Sequence, residues 1–186
     1  MPESKAHPIV SFLICQTICF AVAFLGSQAT MIGLAAWYPA LNKPTFNPPG
    51  WVFAPVWTVL YFLMGLALWQ VWRSEPSRAR SWGVFLFAIQ LVLNALWSWL
   101  FFAWHQLAWS FYEIIALDLA ILATIVVFAK VRASAAWLLA PYLAWCSFAS
   151  LLTFTIWRMN AGDVDPKSES IQIKMDDPES GPLLGN

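Results

Sequence analysis

The polar residues of this sequence fall in a few short breaks, and the stretches between them are nearly unbroken apolar runs. Each run is close to the ~20 residues that carry a helix across hydrocarbon. The pattern predicts transmembrane helices at about residues 9–31, 51–72, 82–104, 107–129 and 135–157. The first run follows Lys5 and precedes Ser27-Gln28-Ala29, a passable signal-peptidase site. It exceeds the ~7–15 apolar residues of a signal peptide, so it reads as a retained helix. Between the first two helices, WYPALNKPTFNPPG (Trp37–Gly50) carries Pro39, Pro44, Pro48 and Pro49, which forbid a continuous helix and predict a stiff, extended loop. The other breaks are short: Arg73–Ser81, a tight turn at His105-Gln106, and Lys130–Ser134. Pro55 falls in the first turns of its helix, where proline costs least, and Pro141 falls inside the last helix. The tail, 161–186, is polar and acidic without an apolar face, and is expected to be disordered.

Composition says what must cover these helices. The chain is 60% hydrophobic and 11% charged, against about 25% charged in a soluble domain, and its mean hydropathy is +0.64. Lipid has to face much of the outside, which makes this an integral, multi-pass membrane protein. The formal net charge is zero, which leaves no basic footprint for nucleic acid. Most of the acids (Asp163, Asp165, Glu169, Asp176, Asp177 and Glu179) lie in the tail. Lys5, Arg73, Arg78, Arg80, Lys130 and Arg132 share one side of the predicted topology, against Lys43 and Arg158 near helix ends on the other. The positive-inside rule therefore puts the N-terminus and the 73–81 and 130–134 linkers inside. The membrane itself, bacterial or mitochondrial outer, is left open. No internal repeat is visible, which argues against a transporter built from inverted repeats.

Candidate chemistry is sparse. Cys15 and Cys19 lie one helical turn apart but have no nearby His or acid to complete a metal site, so they and Cys146 read as apolar packing. His7 and His105 lie outside the spans, and no nucleophile–base or metal-ligand cluster supports hydrolytic or metal chemistry. No cofactor is required. Glu113 and Asp118 are the acids within the spans, about 140° apart around their helix, a separation that predicts they do not share one cavity. Gln90, Asn94, Trp97 and Phe101 fall on one face of the third helix, where amides read either as interhelical hydrogen bonds or as ligand contacts. Trp57, Tyr61, Gly65 and Leu68 share a face of the second helix, and Trp145, Phe148, Ala149 and Leu152 one of the fifth. The fourth opens with Trp109, with Glu113 one turn on. There are 13 Trp. Interfacial belts explain some; the rest read either as core packing, the commoner use of an aromatic stripe, or, since an indole N–H deep in hydrocarbon needs a partner, as walls for a flat apolar ligand stacked between indoles.

The stretch WYPALNKPTFNPPGWVFAPVWTVLYFLMG (Trp37–Gly65), with QLVLNALWSWLFF (Gln90–Phe102), PYLAWCSFASLL and IWRMN downstream, resembles the translocator protein (tryptophan-rich sensory protein, TspO/MBR) family. The likeness runs from about Ile9 to Asn160. It implies an all-α bundle of five transmembrane helices around a ligand cavity, capped by the Pro-rich loop, commonly as a homodimer. It implies binding of porphyrins, sterols or benzodiazepine-type ligands, with Trp37, Trp51, Trp57, Tyr61, Asn94, Trp97, Trp109, Trp145, Phe148, Ala149 and Leu152 at family cavity positions. Animal members carry a sterol motif ending Leu-Asn-Tyr before Trp-Arg. Here the stretch Leu152-Thr153-Phe154-Thr155-Ile156-Trp157-Arg158 lacks the tyrosine, which favours a tetrapyrrole (protoporphyrin IX or haem) over a sterol. The expected role is a membrane receptor or sensor. The alternatives are a light- and oxygen-dependent porphyrin-degrading enzyme using Trp57 and Trp145, or a tetrapyrrole or cholesterol transporter.

Overall fold

A computed structural model describes residues 7–161; the acidic tail, from 162 on, falls outside the described residues. Among them, five helices are long and apolar enough to cross a membrane. They are α1 (Pro8–Leu34), α3 (Gly50–Trp72), α4 (Arg78–Ser98), α5 (Leu107–Val131) and α6 (Ala133–Asn160). Successive helices run up and down, so the 35–49 loop, the 104–106 turn and the end of α6 meet at one end of the bundle. In sheet-free, lipid-facing architecture every backbone group is satisfied within its own helix, which is why the apolar runs become helices. The outward faces carry Leu13, Phe24, Val92, Leu119 and Leu122, all exposed to what lipid would cover.

Two features depart from the sequence pattern. The Pro-rich loop is not extended throughout: Trp37–Ala40 forms one helical turn, α2, with Pro39 inside its first turn, where a missing N–H costs nothing. The third span does not stay α-helical to its end. Trp99–Ala103 forms a π turn, with Trp104 N donating to Trp99 O at 2.8 Å. Such widened turns often mark functional sites. This one pushes Phe101 and Phe102 toward the loop, and the chain then reverses through His105 in the left-handed region, φ 57°.

Helix α1 is fixed by glycines. Gly33 sits where a Cβ would lie 2.5 Å from the Phe102 carbonyl oxygen, and Gly26 faces Ser98. Gly65, read from the sequence as part of an aromatic face, instead makes room for Gln16 of α1, whose amide donates to Phe62 O at 3.1 Å. Helices α4, α5 and α6 form the other half of the bundle, with Phe87 stacked on Phe128 at 5.8 Å.

Candidate functional site

A cavity of about 190 Å³ lies under the loop. Its walls are Phe53 and Trp57 of α3, Trp97, Phe101 and Phe102 at the end of α4, and Trp145, Ala149, Leu152, Thr153 and Ile156 of α6, with Thr30 and Leu34 of α1. Tyr38, Asn47 and Pro48 of the loop close the top. The wall is a set of touching rings: Trp97 on Phe101 at 5.3 Å, Phe53 edge-on to Trp145 at 5.8 Å, and Trp57 beside Tyr61 at 5.6 Å. Aromatic pairs in these geometries add ~0.5–1.5 kcal/mol each beyond burial, which helps to hold the wall together. The Trp97 indole N–H is buried without a partner among the described residues.

The lid is tied down by polar atoms. Asn160, the last residue of α6, donates Nδ2 to Asn42 O at 2.9 Å and accepts from Asn42 N at 2.9 Å. Lys43 Nζ donates to the carbonyls of Tyr38, Pro39 and Leu41 at 2.9, 3.1 and 2.7 Å, capping α2. The Tyr38 hydroxyl donates to Asn47 Oδ1 at 2.9 Å. Burial pushes that phenol above its ordinary range, so it remains a donor at neutral pH. Trp37 stacks on His105 at 4.3 Å, fastening α2 to the α4–α5 turn.

Below the cavity runs a chain of four side chains from three helices. The Tyr61 hydroxyl donates to Asn94 Oδ1, Asn94 Nδ2 donates to the Tyr142 hydroxyl at 3.0 Å, and Tyr142 donates to Gln90 Oε1 at 2.9 Å. All four are buried.

The sequence model of the TspO/MBR family matches residues 15–158. The chain belongs to the TspO/MBR family. It is 42% identical over 156 residues to the tryptophan-rich protein TspO of Chlorobaculum tepidum, covering 82% of this chain and 97% of that one. The translocator protein of Homo sapiens is 37% identical over 141 residues, 75% of this chain and 83% of its own. The tryptophan-rich sensory protein of Cereibacter sphaeroides is 36% identical over 149 residues, 80% and 90%. These relatives support a membrane sensor or receptor family.

Not every family cavity position lies at the cavity of this TspO/MBR chain. Trp57, Trp97, Trp145, Ala149 and Leu152 line it. Trp51 and Trp109 do not: they are 76% and 66% exposed. Together with Trp104 at the loop end, and Trp72, Trp82 and Trp137 at the other, they form exposed rims at the two helix ends, the belt arrangement of interfacial indoles. Helix α5, which carries Trp109, contributes nothing to the lining. Trp37 stands one layer back, edge-on to Phe101 at 5.4 Å, and Phe148 packs on Trp145 at 5.7 Å and Phe46 at 6.4 Å beside the rim. Tyr61 and Asn94 face a groove next to the cavity, with their polar atoms committed to each other.

The two intramembrane acids stay out of the cavity: neither Glu113 nor Asp118 lines it, Asp118 accepts from Ser150 of α6 at 2.8 Å, and Glu113 is buried in the bundle.

Tyr142 and Asn160 were not singled out from the sequence. Tyr142 stands three residues before Trp145, on its face, so periodicity contained the signal. Asn160 has its partner 118 residues away, which no local pattern reveals. Asn160→Ala removes both bonds of the latch. It is expected to speed amide exchange in the 41–47 segment at least tenfold, measured by hydrogen exchange in detergent, while exchange in α5 stays unchanged.

Proposed function

We propose that this protein is a membrane receptor for a flat tetrapyrrole of the protoporphyrin or haem type, held between Trp57 and Trp145. The observation that carries the reading is that these indoles, from α3 and α6, wall one aromatic cavity under a latched lid. The names of the relatives, sensory protein and translocator protein among them, support a sensing or transport role without naming the ligand. The reading includes a homodimer, and the 73–81 and 130–134 end of the bundle facing inside, where the basic residues gather.

Purified protein titrated with protoporphyrin IX in the dark is expected to show saturable quenching of tryptophan fluorescence. Trp57→Phe combined with Trp145→Phe is expected to weaken affinity about tenfold, corresponding to ~1.4 kcal/mol of lost stacking. Unchanged affinity would reject this pocket. Bleaching under light beyond that seen with denatured protein would move the reading toward a porphyrin-degrading enzyme, and equal bleaching would exclude it.

A further inference from the structure

The closed cavity is smaller than the ~300–1,000 Å³ common for ligand pockets, so a tetrapyrrole needs more room than it offers. The room lies to one side. In its first half α1 is locked to α3: Gln16 seats against Gly65, and Trp69 Nε1 donates to Pro8 O and Ser11 Oγ, both at 3.2 Å. In its second half α1 is locked instead to α4 and the π turn, through Gly26 at Ser98 and Gly33 at Phe102. Changing partners midway splays α1 from α3. The gap is a groove of about 500 Å³, walled by Phe20, Phe24 and Met31 on α1 and by Ala54, Thr58 and Tyr61 on α3.

The groove adjoins the cavity: Thr30, Leu34, Gly50, Phe53, Trp57 and Ser98 line both. Its outer edge is on the lipid-facing surface, where Phe24 is 63% and Met31 68% exposed. Three of its hydroxyls are spent on their own helices, Ser27 donating to Phe24 O at 2.8 Å, Thr30 to Gly26 O at 3.1 Å and Thr58 to Ala54 O at 2.8 Å, and the Tyr61 hydroxyl is spent on Asn94. To an incoming molecule its walls are therefore largely apolar. The aqueous end, by contrast, is covered by Tyr38, Asn47 and Pro48 of the loop, which the Asn42–Asn160 bonds fasten to α6.

We propose that the α1–α3 groove is a lateral portal, through which a flat apolar ligand dissolved in the bilayer enters the cavity and in which part of the bound ligand remains. This rests on the receptor reading above, and kinetics separate the two. Ser27 and Ala54 stand on opposite walls with their side chains exposed, so Ser27→Phe with Ala54→Phe narrows the mouth without entering the packed core. Protein in vesicles is mixed with vesicles preloaded with protoporphyrin IX, and quenching is followed in time. The double variant is expected to associate and release at least tenfold more slowly, and Asn160→Ala to associate at the wild-type rate. If the double variant does not fold, each single variant is expected to slow both rates at least threefold. Wild-type rates in the narrowed variants, or faster association in Asn160→Ala, would overturn the portal while leaving the receptor intact. No quenching in the wild type at any concentration would overturn the receptor reading and the portal with it.

Discussion

Gly33→Ala is expected to destabilise the bundle by about 3 kcal/mol, seen as a loss of folded protein at low denaturant in detergent. On an exposed helix the same change would gain up to ~1 kcal/mol of helix propensity. Here the new methyl would stand 2.5 Å from Phe102 O, 2.9 Å from its Cβ and 3.0 Å from its Cα. Two of these are backbone atoms, which no rotamer change can move aside, and they belong to the turn after α4 that shapes the cavity wall. Either α1 tilts outward or the π turn shifts, and both change the cavity, because Leu34, Phe101 and Phe102 line it. Two companions set the scale. Gly26→Ala meets the Ser98 hydroxyl at 3.3 Å, which can rotate, and the Ser98 Cβ at an ordinary 3.7 Å, and Gly50→Ala meets nothing within 4 Å. Both are expected within ~1 kcal/mol of wild type. A Gly33→Ala protein as stable as Gly50→Ala would mean that α1 is not held against the π turn.

How much of this was legible beforehand follows from what each residue had to do. The five spans were readable because hydrocarbon forces long apolar runs; periodicity put Trp57 and Trp145 on aromatic helix faces, and the family resemblance put those faces at a cavity. Trp51 and Trp109 were not separable from them by sequence, since an indole serves equally in a belt and in a cavity wall. Only the position of the other helices decides. The π turn was hidden for a different reason: WLFFA is apolar on every side, so a widened turn leaves no mark on its periodicity. Gly65 belonged by spacing to the Trp57 face, but its missing side chain matters for Gln16, a long-range neighbour. The latch and the portal are likewise properties of pairs far apart in the chain.

Asn94→Leu, which keeps the branched heavy-atom shape and removes the amide, is expected to cost about 2 kcal/mol of stability. It leaves the buried Tyr61 hydroxyl without its acceptor and the Tyr142 hydroxyl without the donor it now has. A buried orphan costs ~1–3 kcal/mol in general, whereas single interhelical bonds in membranes average nearer ~0.6. The estimate falls in the first range because the Tyr61 hydroxyl is stranded, while Tyr142 still donates to Gln90 Oε1 at 2.9 Å. Adding Tyr61→Phe removes that orphan, so the double variant is expected to recover part of the loss, a coupling read from the four-protein cycle. The same proteins decide what the amide does for ligand. From the sequence, Asn94 served either as interhelical glue or as a ligand contact, and its bonds to Tyr61 and Tyr142 favour glue. Protoporphyrin IX affinity in folded Asn94→Leu is therefore expected within about twofold of wild type. A loss beyond tenfold, ~1.4 kcal/mol, would mean that the ligand reaches down through the groove to the amide and displaces a bond the empty structure makes.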